Sequence, residues 1–585
     1  MRNNRRGGRI RTHIDNVNTM PACSWWRRGW LDEVVLASTL CASIGSCARP
    51  IQRFADQPVA WTEKDDADSP RAPRPTRLED EPAALFIRDF FTREIDRNLS
   101  LQRSPPAADV NALDEVPCST WFCARNHLRA MSVAAVVAGP SMGSPPVLPL
   151  TLTRSKVGGI SQGFVAEDAR GHKYLVKLDP AGHARLASGA EVVGQLVFHA
   201  AGYNVPGAYP LELAAEDVIV KPGAKRLLSG VTARPFTGQD VAALLDRSAR
   251  GPYGKATAVA VRWLEGQTLG GFDLAGRRSD DPNDRIPHEH RRSLRASLVL
   301  FAWLNVFDAS AVNTQDTYVE EGGRRFVRHY FIDFGSALGS STTSVKSVHE
   351  GRERLLELGR ITTAFLTLGL DQREWQKDTA RWRRGAEQVP AVGWFDPAAQ
   401  WDPDDFRTGR KIPAHLRMTT ADKYWGAKLV TSFSNEQLRA IVQTAGYRPD
   451  AAAIILDTLI ARRDRIADRY LTAVTGVEGP AVSADGTSLC FNDVSISRGY
   501  AAAVDTRYAF RAFDVAGRVN GQGTHQARGP RTCLPSAIPV DASEYLVVTL
   551  EASIAGRRAR PARIHLAARP AERRFVVVGL ERDDR

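Results

Sequence analysis

The chain has 585 residues, 43% hydrophobic and 25% charged, which sets it among globular chains and makes it too long for a single core. No run of about 18 apolar residues occurs, so no transmembrane helix is predicted. The net charge of +12 would suit a nucleic-acid partner, but seven arginines against Asp15 in the first thirty residues carry half of it; the body is only mildly basic, and no nucleic-acid partner is expected.

Residues 1–47 read as a leader. Arg27 and Arg28 precede a moderately apolar stretch, WLDEVVLASTLCASIGSCARP, and this order of basic, apolar and small residues describes a bacterial export signal. Ile44–Cys47 (IGSC) resembles a lipobox, which predicts a protein of the bacterial cell envelope attached to the membrane by a lipid on Cys47. Asp32 and Glu33 interrupt the apolar part and Met20 offers a later start, so a cytoplasmic protein with an N-terminal extension is the alternative. A chain starting at Cys47 leaves four more cysteines; Cys118 with Cys123 and Cys490 with Cys533 would then suit disulfides in an oxidising compartment, and four free thiols are the alternative. None has the spacing of a zinc site.

Residues 48–85, charged and proline-rich, predict a tether. An extension to residue 150 follows, with a helical piece, AALFIRDFFTREIDRNL, then NALDEVPCSTWFCARN, whose Trp121 and Phe122 read as core. Residues 151–270 predict a small sheet with one helix. GFVAEDARGHKYLVKLD is a hairpin turning at Asp168–Gly171, and Val193, Leu196, Val197 and Ala200 form the apolar stripe of a helix closed by Gly202. ATAVAVRWLEG reads as a further buried strand. Residues 271–475 turn helical, with a capping box at Ser434 and Gln437 and a helix opening at Asp450. Residues 476–585 carry short β runs that predict a small, separate β-sandwich. The expected fold class is α+β: a bilobal enzyme body followed by a β module.

The cluster Asp280, Asp281, Asp284, His288, Glu289 and His290 suggests a metal site only superficially, because histidines two apart on a helix point to different sides. A helix start with Pro287 in its first turn explains the pattern; Arg291, Arg292 and Arg295 read as its solvated face, with binding of a substrate phosphate as the alternative.

Phosphoryl transfer needs a loop over phosphates, a lysine on them, an anion holding that lysine, metal ligands and a residue that orients the nucleophile. Gly158, Gly159 and Gly163 precede the hairpin, where a backbone can approach phosphates closely. Lys177 lies inside an apolar strand and needs a partner there; Glu191 on the next helix is the candidate. Asp308 and Asn313 follow an apolar helix, suiting a base and a metal-ligating amide, and an apolar strand delivers Asp333 twenty residues later as a second ligand. Each residue alone has a plain structural explanation. Their occurrence together and in this order points to a kinase-like site.

The D-x4-N of Asp308 and Asn313, the IDFG around Asp333 and the GYNVP after the Glu191 helix resemble the atypical kinase superfamily of HipA toxin kinases, phosphatidylinositol 3- and 4-kinases and secretory-pathway kinases. Residues 155–340, with DDPNDRIPHEHRRSLR, further resemble an uncharacterised group of bacterial envelope-associated proteins. The resemblance implies an atypical protein-kinase-like fold using ATP and Mg²⁺. Lys177 would contact phosphates with Glu191 holding it, Asp308 would be the catalytic aspartate, and Asn313 and Asp333 the Mg²⁺ ligands. Arg262, Trp263, Leu264 and Glu265 would line the adenine pocket as the hinge between lobes. There is no HRD triplet, Val306 and Phe307 precede Asp308, and the glycine loop is not G-x-G-x-x-G. Two alternatives therefore stand beside a kinase: a pseudokinase-like envelope scaffold, and AMP transfer on the same fold. The acceptor, whether protein, lipid or small molecule, is unassigned.

Overall fold

The computed structural model describes residues 53–76, 104–140, 144–156, 160–228, 231–355, 358–370, 389–395, 401–538, 544–572 and 574–582. The leader with Cys47, the helical piece predicted at 83–99, and Gly158 and Gly159 lie outside the described residues.

The predicted hairpin forms β2 (Gly163–Glu167) and β3 (Lys173–Leu178), paired antiparallel. Asp168 makes its turn: the side chain accepts from the backbone N–H of Arg170 at 3.0 Å and of His172 at 2.8 Å. With β1 (Leu150–Ser155), β4 (Ala208–Leu213), β5 (Val218–Leu228), β6 (Val231–Pro235) and β7 (Ala256–Arg262) it builds a seven-stranded sheet in the order β4-β7-β3-β2-β1-β5-β6. β1 and β5 run parallel, and the chain is mixed α/β. β7 is buried from Ala256 to Val261, as a strand flanked on both edges requires.

Against this sheet lies α1 (Leu186–Ala201), with its predicted apolar stripe buried, ended at Gly202 with φ of 131°. Its start is set by Asp179, the residue after β3. That buried carboxylate accepts from the backbone N–H of Arg185, Ala187 and Ser188 and from the Ser188 hydroxyl. One side chain thus satisfies the donors that a helix start leaves open and ties α1 to the end of β3.

β8 (Gln267–Gly270), β9 (Thr314–Glu321) and β10 (Arg324–Phe331) form a second sheet. Beside it, α2 (Ser297–Leu304) is apolar and almost wholly buried. It shares one core with α1 and with α3 (Thr420–Val430), α4 (Asn435–Thr444) and α5 (Pro449–Ile466). The Ser434/Gln437 capping box forms at α4, and α5 begins with Pro449 just before the predicted Asp450.

Residues 477–582 fold as a three-stranded and a six-stranded sheet over one apolar core, as the short β runs predict. Cys490 and Cys533 face each other on paired strands and form a disulfide, and Cys118 and Cys123 form another. This β region has its own core but is docked on the rest of the chain. Buried Lys428 on α3 pairs with Glu478 at 2.7 Å and with Glu115, and Arg582 near the C-terminus pairs with Asp114. Buried charges of this kind hold only with their partners in place.

The tether is corrected over residues 53–76. Asp65 is buried and accepts from the Thr120 N–H at 3.0 Å and its hydroxyl at 2.7 Å, while the Ser69 N–H donates to the Arg325 carbonyl at 2.8 Å. Glu63 lies 3.2 Å from Arg291, an arginine read as solvated but fully buried. Arg292 and Arg295 are buried too, on Asp422 at 3.0 and 3.4 Å. The burial of these acids and arginines is not visible locally in the sequence because their partners are remote in the chain, 228 residues apart for Glu63 and Arg291. Trp121 is core as predicted, stacked on His329 with ring centroids 3.5 Å apart. His288 contacts Asp284 at 2.8 Å, and among the described residues no group of three His, Cys, Asp or Glu is placed to hold a metal. Nor, among them, is any helix long and apolar enough to cross a membrane.

Candidate functional site

β3 brings Lys177 to the α1 side of the sheet, and α1 presents Glu191 to it. Lys177 Nζ donates to Glu191 Oε2 at 2.9 Å and to Asp333 Oδ1 at 2.8 Å. The other Glu191 oxygen accepts from Gln195 at 2.6 Å, so the buried carboxylate is fully engaged. Burial opposes the ammonium charge, but Asp333 and Glu191 outweigh it and raise the lysine's pKa.

β10 ends at Phe331 and delivers Asp333 with φ of 61°, a left-handed conformation that residues with a Cβ rarely adopt. The next residue holds it there. Phe334 packs on Phe198 with ring centroids 4.7 Å apart, and a Cβ at Gly194 of α1 would sit 2.5 Å from the Phe334 Cβ. Asp333 keeps 37% of its side-chain surface open to the cleft. The crowding protein works against its charge, yet Lys177 holds its carboxyl below the usual range.

Asp308 and Asn313 lie on the loop between α2 and β9. The Asn313 amide nitrogen donates to the Asp308 carbonyl, and the Asn313 carbonyl accepts from the Ile332 N–H at 3.0 Å, which ties this loop to Asp333. Asp308 is accessible at the mouth of a recess walled by Asn313, Ser310, Ile332 and Asp333. Loss of hydration at that mouth pushes its carboxyl pKa up; Asn313 opposes the shift and Asp333 adds to it.

Five predicted residues, Lys177, Glu191, Asp308, Asn313 and Asp333, therefore converge. Gly163 stands opposite Lys177 on the paired strand, where any Cβ would strike the Val176 carbonyl, so this glycine serves the close approach of β2 and β3. Ahead of it Lys156 donates to the Ser161 carbonyl at 3.1 Å and hydroxyl at 2.9 Å. Arg262, Trp263, Leu264 and Glu265 line a different recess of about 430 Å³, together with Val205, Gly207 and Tyr330. That recess shares no lining residue with the one at Asp308 and Asp333. The Trp263 ring carries Lys173 Nζ 4.2 Å from its centre, and Lys173 shares a face of β3 with Lys177.

Two features escaped sequence reading. Lys346 is buried, donating to the carbonyls of Asn305 and Ser336 and, at 3.0 Å, of Leu338; burial pushes its pKa down to about 7. It staples the segment after Asp333 to the end of α2. The Gly409 N–H donates to the Phe307 carbonyl at 2.9 Å, and the charge of the adjoining Arg410 acts on Asp308. Neither segment carries a pattern that would mark it from sequence.

The donors fit Mg²⁺ arriving with phosphates. That ion takes one or two protein oxygens and fills its shell with phosphate oxygens and water. Asp333 supplies an open carboxylate, and the Asn313 amide, its nitrogen engaged on Asp308, has its oxygen left for a ligand. The chain matches no protein-family model, and comparison with curated proteins gives no match.

Proposed function

We propose that the chain is an ATP- and Mg²⁺-dependent phosphotransferase with the bilobal layout of the atypical kinases. The seven-stranded sheet with α1 is the N-lobe, and β8–β10 with the following helices is the C-lobe. The observation that carries this reading is Lys177, bridging Glu191 at 2.9 Å and Asp333 at 2.8 Å with Asp308 and Asn313 beside them. A structural ion pair needs only one carboxylate; a lysine shared by a sealed glutamate and an open aspartate suits a group that meets phosphates.

In this reading Lys177, held by Glu191, binds phosphate oxygens, while Asp333 and Asn313 hold Mg²⁺. When bound, the ion neutralises charge on the phosphates. Asp308 orients the acceptor hydroxyl and accepts its proton, and its raised pKa makes it a better base than a solvated aspartate. Phe334 packed against α1 keeps Asp333 aimed into the cleft. The two disulfides support an oxidising compartment and hence the bacterial cell envelope.

The test is purified protein with Mg²⁺-ATP. Binding lost in Asp333→Ala, and γ-phosphate transfer lost in Asp308→Ala, are the expected results. Binding without transfer under any condition would favour a scaffold, transfer of AMP the alternative chemistry, and no binding at all would end this reading.

A further inference from the structure

The helix Leu358–Leu366, in the stretch between Asp333 and α3, leaves its apolar side chains in solvent. Leu355 ahead of it, Ile361, Phe365 and Leu366 on it, and Leu368 and Leu370 just beyond are between 52% and 88% exposed. Elsewhere among the described residues, large apolar side chains more than half exposed stand singly, as at Tyr253 and Val504. A single exposed apolar group is ordinary, because polar atoms cannot cover a whole surface. A run of them within sixteen residues marks a face that something apolar covers.

The charges around this face say what the cover is. Residues 351–370 and 406–412 carry six bases, Arg352, Arg354, Arg360, Arg407, Arg410 and Lys411, against Glu353 and Glu357, and no acid falls between Leu358 and Leu370. The two stretches are joined at the foot of the helix. There the Arg407 N–H donates to the Gly351 carbonyl and the Leu355 N–H to the Gly409 carbonyl, both at 2.9 Å. An apolar helix framed by bases fits a bilayer of anionic lipids, which offers acyl chains to leucine and phenylalanine and phosphates to arginine and lysine. On separate grounds, the lipobox-like IGSC at Ile44–Cys47 predicts the same neighbour. We propose that the helix Leu358–Leu366 docks on an anionic lipid surface, with Phe365, Leu366, Leu368 and Leu370 entering the acyl boundary and the bases meeting the headgroups. The face stands apart from the nucleotide reading, yet its foot adjoins that site: the Gly409 N–H donates to the Phe307 carbonyl, next to Asp308.

The test is co-sedimentation of the full-length Cys47→Ser chain, which carries no lipid of its own, with vesicles of phosphatidylglycerol and phosphatidylethanolamine. Binding is expected, and it should weaken about tenfold or more when phosphatidylcholine replaces phosphatidylglycerol or when salt is raised to about 1 M. Phe365→Ser/Leu368→Ser should weaken it about tenfold or more, and Leu366→Ser/Leu370→Ser likewise. Both pairs should keep the wild-type melting temperature or raise it, because these side chains already stand in water. No vesicle binding, equal binding by wild type and both pairs, or equal binding to anionic and neutral vesicles overturns the proposal. So does a dimer in vesicle-free solution that Phe365→Ser/Leu368→Ser dissociates, since the face then belongs to a second copy of the chain. Mg²⁺-ATP binding measured without vesicles reads the phosphotransferase site alone, so either reading can fail while the other stands.

Discussion

Lys177 Nζ and Asp333 Oδ1, 156 residues apart in the chain, meet at 2.8 Å, while the same nitrogen reaches Glu191 at 2.9 Å. This lysine holds together the sheet, α1 and the end of β10. Lys177→Met strips a fully buried Glu191 of its countercharge, leaving it Gln195 alone. The expected loss is about 3 kcal/mol or more, read from urea unfolding. In Lys177→Met/Glu191→Leu the sealed carboxylate is gone and only Asp333, open to solvent over 37% of its side chain, loses its countercharge, so most of that loss should return. A single variant as stable as wild type would show that the pair contributes nothing.

The two partners shift in opposite directions, so their pair stabilises over a bounded pH window. Asp333 is lowered in the folded state; its contribution is present above the unfolded carboxyl pKa of about 4 and is lost as pH falls through the folded value. Lys177 is raised; its contribution is complete below the unfolded lysine pKa of about 10.4 and is lost as pH climbs through the folded one. Melting temperatures of wild type and Asp333→Asn should differ steadily between about pH 5 and 9 and converge in acid. A difference that persists below pH 3 would assign the effect to packing instead.

Asp308 is shifted the other way. Its folded pKa lies above the unfolded value, so its ionised form weakens folding as pH rises from about 4, and Asp308→Asn should remove that penalty. A base must be ionised to act. Phosphate transfer should therefore fall off in acid at a pH above that of an ordinary aspartate, while Mg²⁺-ATP binding, which uses Lys177 and Asp333, holds to lower pH. An acid limb shared by binding and transfer would remove Asp308 from the base role.

What could be read from sequence was what short-range patterns enforce. Lys177 and Asp333 stand out because apolar runs force a strand around or before each, and Glu191 follows from the period of α1. Asp308 and Asn313 are set by one loop of fixed length. Arg262 to Glu265 follow a buried strand and line a recess, but its other wall depends on where the Val205–Gly207 loop and the Tyr330 strand pack, which no local pattern announces. The strap of residues 53–76 shows the same limit, since nothing near Asp65 in sequence announces Thr120 as its partner.

Lys346 offers a last test, because nothing in its surroundings in sequence marks it. Its ammonium donates to the carbonyls of Asn305, Ser336 and Leu338, and these groups join α2 to the segment carrying Asp333. In Lys346→Met three buried acceptors lose their donor, so hydrogen exchange should accelerate across residues 334–340 and nucleotide binding should weaken with it. The pH dependence has a definite sign. With a folded pKa of about 7 against an unfolded value of about 10.4, the unfolded chain binds more protons between those limits. Wild-type stability should therefore gain on Lys346→Met as pH rises from 7 toward 10, measured by denaturant midpoints in matched buffers. A constant difference over that range would mean that the amine is as well solvated folded as unfolded, and the staple between α2 and Asp333 would have to be sought elsewhere.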